Sequence, residues 1–539
     1  MNTSRFAEEQ LEKAQFLAPA HNSISETSAT PAISAAATSP VNATTPPALV
    51  LEQSDATAPT GRWTFFAVIS LGLLMIGLDN SILYTALPQL VEQLHANQTQ
   101  QLWIINAYAL VLAGLLLGTG TLGDRIGHRR MFLTGLVIFG LGSLIAAFAP
   151  TAWALITARA FLGLGASIMM PATLALIRLT FSNEVERNTA IGIWGSVAVV
   201  GAAAGPTVGG FLLEHFWWGS VFLINVPIVV IAIILTVELA PKNVPNPDKN
   251  WDFVSSLYAL VTLASLVMVI KSAANSHWQQ AGIAAGIFLI GALAFVIRQR
   301  RLDDPLLTFD IFRSRIFAGG VLAAGGAMFA LAGMEMLTTQ KLQLVDQFTP
   351  LEAGLAISAM AIAAFPASTL GGANLHRVGF LPLISGGFVV IATGLIMAWW
   401  AGRHNTFPLF LAAMILSGTG AGLVMSVSST AIIGSALLHR TGMAAGVEEV
   451  SYEFGTLLSV AITGSMVPLL MERRLPADLR ERGIDALYDP ATRQAAAVAY
   501  ESGYLTVVGI LAVVVVALAA ATAWCFRGNL KSGGNGAAH

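Results

Sequence analysis

Three acids sit close together at Glu448, Glu449 and Glu453 in a stretch that is otherwise apolar. On an α-helix Glu449 and Glu453, four residues apart, share a face, and Glu448 lies about 100° round from Glu449. Tyr452 follows Glu449 by three residues and Glu448 by four, within reach of both. Like charges at this spacing repel, and in a lipid-surrounded helix they cost more still. The arrangement is relieved when some of the acids hold protons, and an organic cation can then displace those protons. That competition is the simplest physical basis for exchanging one for the other. Asp79 is a fourth such acid. Between Trp63 and Gly123 it and Glu92 are the only residues of type Asp, Glu, Lys or Arg. Arg159 stands in another apolar run, where insertion costs about 2.5–3.5 kcal/mol, so it needs a carboxylate or carbonyl partner. A lasting pair with Asp79 is the alternative reading of both residues. Tyr84, Trp103, Tyr108 and Trp194 offer aromatic faces that attract quaternary ammonium groups without directional hydrogen bonds, although aromatics at helical spacing also serve simple packing.

Apolar helices must hold these residues. Of 539 residues 55% are hydrophobic and 11% charged, with a mean hydropathy of +0.70. A soluble protein is about a quarter charged, so an ordinary water-soluble enzyme is excluded. A net charge of -2 without a large basic block speaks against nucleic acid as a partner. The single cysteine, Cys525, excludes a disulfide framework and a cysteine-rich metal site. No GxxxxGK[ST] segment appears, which argues against ATP as the energy source. Residues 1–62, rich in Ala, Ser, Thr and Pro, read as a disordered cytoplasmic tail without the features of a signal peptide.

The rest has room for about fourteen spans. They are expected near 63–90, 100–122, 131–149, 153–177, 188–213, 217–239, 253–271, 279–298, 316–344, 352–373, 380–401, 407–434, 442–469 and 502–526, which puts Asp79 near the bilayer midplane. Placing both termini in the cytoplasm puts 19 Lys and Arg on that side and 8 outside, five of these in one long external loop, 470–501. Gly120-Thr-Leu-Gly-Asp124-Arg125-Ile-Gly127 after span 2 is echoed by Gly372-Ala-Asn-Leu-His376-Arg377-Val-Gly379 after span 10. The echo suggests two related six-helix bundles, 63–240 and 313–526, with a pair of inserted spans in 251–300 and a short cytoplasmic tail at 527–539.

Several segments resemble the major facilitator superfamily, and within it the fourteen-span drug:proton antiporters. Gly120-x-Leu122-Gly-Asp124-Arg125-x-Gly127-His128-Arg129-Arg130 is similar to the signature after span 2, in which Asp124 can pair with arginines. Arg159-x-x-Leu162-Gly163-x-Gly165 is similar to a span 4 motif whose arginine the resemblance links to proton coupling. Gly201-x-x-x-Gly205-Pro206-x-x-Gly209-Gly210 resembles the span 5 motif of antiporters and implies export. Leu78-Asp79-Asn80-Ser81 running to Ala86-Leu87-Pro88 resembles the span 1 signature. The segments around Glu335 and around Glu448, Glu449 and Glu453 are similar to those of quaternary-ammonium and methyl-viologen exporters. Asn106 stands where those exporters often carry aspartate.

The resemblance implies an all-α polytopic membrane protein with the major facilitator fold, in the bacterial inner membrane. It implies proton-coupled export of lipophilic organic cations such as quaternary ammonium compounds, biguanides, dyes and viologens, and with it multidrug and antiseptic resistance. The alternative is export of another amphiphile, a natural antibiotic or an anionic metabolite. Either way the protein is no enzyme, needs no cofactor or metal beyond the proton gradient, and has organic cations, protons and membrane lipid as partners, with no obligate protein partner.

Overall fold

The structure, a computed structural model, describes residues 61–247, 251–302, 305–435 and 441–527. The two tails expected at 1–62 and 527–539 lie almost wholly outside the described residues. The first bundle holds α1 (Arg62–Gln93), α2 (Gln98–Ile126), α3 (His128–Ala147), α4 (Ala152–Thr180), α5 (Glu184–His215) and α6 (Ser220–Leu239). The inserted pair is α7 (Phe253–Ala274) and α8 (Trp278–Arg301). The second bundle holds α9 (Arg315–Leu344), α10 (Pro350–Val378), α11 (Phe380–Arg403), α12 (Phe407–Gly434), α13 (Thr441–Glu472) and α14 (Arg493–Phe526). Thirteen of these are long and apolar enough to cross a membrane, and α5, at 32 residues, occupies the place of the expected fifth span.

Local chemistry sets the helix starts. Asn97 and Gln100 bond reciprocally across the first turn of α2, and Thr349 and Glu352 do the same for α10. Gly127 (φ +100°) ends α2 and begins α3, and Gly379 (φ +86°) does the same between α10 and α11. Both turns need a backbone that side-chain-bearing residues rarely adopt, which is why the sequence echo keeps these glycines. The echo extends to packing. Pairs α1–α5, α2–α4, α3–α4 and α3–α6 recur as α9–α13, α10–α12, α11–α12 and α11–α14. Each bundle has its own large apolar core. Apolar side chains such as Ile283, Ile290 and Leu293 on α8 and Val513 on α14 point outward, as expected where the surroundings are lipid rather than water.

The long loop expected at 470–501 is shorter than the sequence suggested. Helix α13 runs to Glu472 and α14 begins at Arg493, so only 473–492 connects them. The segment Gln494–Ser502 is Ala-rich and polar enough to read as loop, yet it has a buried face of Ala496, Ala499 and Tyr500, and the Tyr500 hydroxyl donates to Gln340 Oε1 at 3.1 Å. Within the connection Arg482 pairs with Asp489 at 2.9 Å. The bond from the Ala491 amide, and after it the one from Arg482, hold the Asp489 carboxyl below its usual range.

The bundles meet along α1–α9, α2–α13 and α5–α10. Near the end of α5 that carries His215, its small residues lie against the start of α10: a side chain at Gly210 would run into Pro350 and Leu351, and one at Gly354 into the Pro206 carbonyl. Thr207 and Ser358 hydroxyls bond there at 2.6 Å. The opposite face of the molecule carries Arg125, Arg129 and Arg130, the arginines that end α8, and Arg377. On that basic face the bundles part around a cavity of about 570 Å³. The inserted helices stay peripheral, packing on each other and against α2 and α13. Gln299 ties them in, donating to Ser255 Oγ at 2.6 Å and accepting from the Leu307 amide at 3.0 Å.

Candidate functional site

Asp79 and Arg159 form one buried pair. Helix α1 carries Asp79, 2% exposed, and α4 carries Arg159, 0% exposed. Arg159 Nη1 donates to Asp79 Oδ2 at 2.5 Å, and its Nε donates to the Ile104 carbonyl at 3.2 Å. The guanidinium lies 4.5 Å from the centre of the Tyr108 ring. Asn225 of α6 donates to the other Asp79 oxygen at 3.0 Å and to Ser143 Oγ at 3.3 Å. The sequence reading called for a partner for Arg159 but missed Asn225. A lone asparagine in the apolar run Ile224-Asn225-Val226 was the available signal.

The three acids of α13 divide between two directions. A stripe of small residues packs α13 on α9: Gly455 lies against the Gly325 carbonyl, and Ser459 Oγ donates to the Phe329 carbonyl at 2.5 Å. That contact fixes the rotation of α13. Glu448, 7% exposed, turns toward its own bundle, accepting from the Tyr452 hydroxyl at 2.8 Å and from Ser429 of α12. Glu449 instead lines the cavity between the bundles. Glu453, one turn further on, lies within electrostatic reach of Arg159. Glu335 of α9 crosses the interface, accepting from Ser81 of α1 at 2.7 Å. Closer to the sealed end, two turns along α9 and one along α1, Gln343 donates to the Thr85 carbonyl at 2.9 Å.

Around the cavity stand Leu116, Leu117, Met170, Leu174, Met443 and Trp194, with Asp124, His128 and Arg178 also on its wall. The Trp194 indole donates to Thr173 at 3.1 Å, so its ring is held in place. Of the aromatic residues picked out from the sequence, Trp194 is on this wall; Tyr84, Trp103, Tyr108 and Tyr452 lie elsewhere. Tyr84 is buried near Glu335 and Glu453. Trp103 packs on the first bundle's core. Asn106 is fully buried, with neither side-chain polar atom hydrogen-bonded among the described residues. The wall residues missed by the sequence reading, above all Met170, Leu174 and Met443, look like ordinary span residues until the helices are assembled.

The glycine motif of α5 does two jobs. Gly201, Gly205 and Gly209 bring its backbone against Leu74, Ser81 and Ile82 of α1, while Pro206 and Gly210 meet α10. In the turn after α2 the expected pairing of Asp124 with arginines is replaced. Asp124 pairs with His128 at 3.2 Å, one helix turn on, where the side chains meet across Gly127. Arg129 donates to the Val237 carbonyl at 2.6 Å, and Asn243 donates to the Ile126 carbonyl at 2.8 Å, so the turn is tied to the end of α6. Arg125 is exposed. Gly120 lines the cavity. Among the described residues no cluster of three His, Cys, Asp or Glu could hold a metal ion.

The Major Facilitator Superfamily profile matches residues 69–340. The chain is 37% identical over 416 residues to the multidrug efflux pump LfrA of Mycolicibacterium smegmatis, a match covering 77% of this chain and 82% of that protein. It is 36% identical over 429 residues to the methyl viologen resistance protein SmvA of Salmonella typhimurium, covering 78% and 84% respectively. Among solved structures, a bacterial homolog of the human lysosomal transporter Spinster, in its inward-facing and unoccupied conformation, superposes with a TM-score of 0.62 at 15% identity, covering 87% of this chain and 98% of that one. That likeness concerns the fold.

Proposed function

The chain belongs to the Major Facilitator Superfamily, as a multi-pass protein of the bacterial inner membrane, and we propose that it is a proton-coupled antiporter that exports lipophilic organic cations. The observation that carries this reading is the placement of Glu449 on the wall of a largely apolar cavity, one helix turn from Glu453, which itself lies within electrostatic reach of Arg159 in the Asp79–Arg159 pair. An apolar cation needs an apolar cavity and one counter-charge. A proton needs a carboxylate whose other partner it can displace. The relatives named for multidrug efflux and for methyl viologen resistance support the same substrate class.

The basic-residue bias puts both termini and the basic face in the cytoplasm. The cavity then opens inward, and the α5–α10 contact seals the outer side. A lipophilic cation enters from the cytoplasm, settles against the wall formed by Leu174, Met170 and Trp194, and is neutralised by Glu449. Carrying a dication alone against an inside-negative potential of 100 mV costs about 4.6 kcal/mol, and counter-movement of two protons removes that cost. Parting α5 from α10 and closing the basic face reverses access. Protons from outside then take the carboxylates and the cation leaves. Glu453, one turn from Glu449, shares the cation with it, Glu335 and Glu448 add acidic sites for larger or doubly charged cargo, and Gly120, Asp124, Arg125, Gly127 and Arg129 hold the turn that must shift as the bundles rock.

Purified protein in protein-free vesicles with an acidic lumen should drive ethidium inward, and dissipating the gradient should stop it. Uptake that ignores the gradient would contradict proton coupling. Uptake of anionic amphiphiles but no cations would favour the alternative cargo.

A further inference from the structure

We infer that Arg159 is a counter-ion shared in turn by two acids on opposite bundles, Asp79 of α1 and Glu453 of α13. When Asp79 takes a proton, Arg159 passes to Glu453, and Glu453 can then no longer hold an organic cation. This rests on the antiport reading above and says how its proton and its cation exclude one another without occupying one spot.

Four observations carry it. Arg159 is fully buried and uses Nη1 and Nε, yet its Nη2 has no hydrogen-bond partner among the described residues. Glu453 Oε2 is likewise buried and without a partner. The two groups, on opposite bundles, lie within electrostatic reach of one another. Among the described residues, the charged and titratable groups that interact with Arg159 are Asp79 and Tyr84 of α1, Tyr108 of α2 and Glu453 of α13; two of these are acids. Glu335 reaches Tyr84 but not Arg159.

The energetics give the direction. A buried guanidinium that loses its only carboxylate is left as an uncompensated charge, which is strongly unfavourable. A proton arriving on Asp79 creates that situation, since the neutral carboxyl no longer offsets the positive charge. Asn225 can keep the protonated acid in place through Oδ1. The other acid within electrostatic reach of Arg159 is Glu453. A cation bound at Glu453 works in reverse, leaving Arg159 to Asp79 and expelling the proton. The step moves one proton on or off Asp79 and forms and breaks no other bond than ionic contacts.

The test is equilibrium binding of ethidium to the purified full-length protein in detergent, with monodisperse elution as the check on folding. Asp79→Asn imitates the protonated acid, so it should weaken binding about tenfold or more. Arg159→Gln added to Asp79→Asn removes the arginine that would occupy Glu453, and affinity should return to within about threefold of wild type. Asp79→Asn added to Glu453→Gln should cost nothing further, because the acid that Arg159 would capture is gone. Wild-type affinity in Asp79→Asn, a double variant with Arg159→Gln as weak as Asp79→Asn alone, or additive losses in the Glu453→Gln background would each overturn the exchange. If Arg159→Gln aggregates, the Glu453→Gln cycle decides alone. Vesicle transport separates the two readings: wild-type ethidium uptake that ignores the proton gradient defeats the antiport reading, whereas gradient-driven wild-type uptake with unchanged affinity in Asp79→Asn defeats only the exchange.

Discussion

Each acid faces different neighbours, and its expected role follows from them. Glu448 is bonded by Tyr452 and Ser429 within its own bundle, and Glu335 by Ser81 across the interface. Neither is needed to balance Arg159. Glu448→Gln and Glu335→Gln should therefore leave ethidium export within about threefold of wild type and lower export of a bisquaternary dication at least tenfold, because a second positive charge leaving water needs a second carboxylate. Equal losses for both cargoes would return these two acids to a structural role. Much at this scale was legible in the sequence. An arginine in an apolar run demands a partner, and Asp79 was the acid at matching depth. The split of the α13 acids was only half legible. Helical geometry separated Glu448 from Glu449, but which side faced the other bundle depended on Gly455 and Ser459 packing on α9, a tertiary contact that no local pattern encodes.

Contacts between helices decide what can move. Gly354 has no room for a side chain because the Pro206 carbonyl lies where its Cβ would be. Gly354→Val should push α10 from α5 and favour the state closed on the basic face. In a Cys525→Ala background carrying Leu174→Cys on the cavity wall, maleimide labelling should fall severalfold at equal abundance; unchanged labelling would show that the α5–α10 seal does not set the conformation. The inserted pair has a separate clamp. Asp252 caps α7 by accepting from the Ser255 amide and hydroxyl, and Arg298 of α8 donates to it at 2.8 Å. Burial opposes ionisation of Asp252, but the bonds from Arg298 and Ser255 outweigh it and hold the carboxyl below its usual range. A lowered folded-state value means the clamp is whole above about pH 4 and is lost as pH falls through that value. Asp252→Asn should reproduce the loss at pH 7, weakening the pair by about 1 kcal/mol. Hydrogen exchange in the first turn of α7 checks this, and protection equal to wild type would contradict it. Span positions were read well from hydropathy alone. The start of α14 was not, because Gln494–Ser502 hides one buried face in a polar, Ala-rich stretch.

At the scale of the whole molecule, two bundles with similar helix packing face each other across buried acids, with the inserted pair at the side. The repeat was visible in the sequence only as two short glycine-containing turns. Their positive φ angles explain why both turns carry glycine at those positions. The orientation proposed from the arginines of the basic face has its own test. In Cys525→Ala, a cysteine replacing Arg480 should be labelled from outside the cell; labelling from the cytoplasm alone would invert the topology. The central claim, that Asp79 and the cavity acid together exchange protons for cations, has one most direct measurement. Vesicles with an acidic lumen containing the Asp79→Asn, Glu449→Gln double variant, whose swaps keep size and polarity while removing both titratable charges, should take up neither ethidium nor a bisquaternary dication, at wild-type protein content. Wild-type uptake of both by that variant would contradict the account.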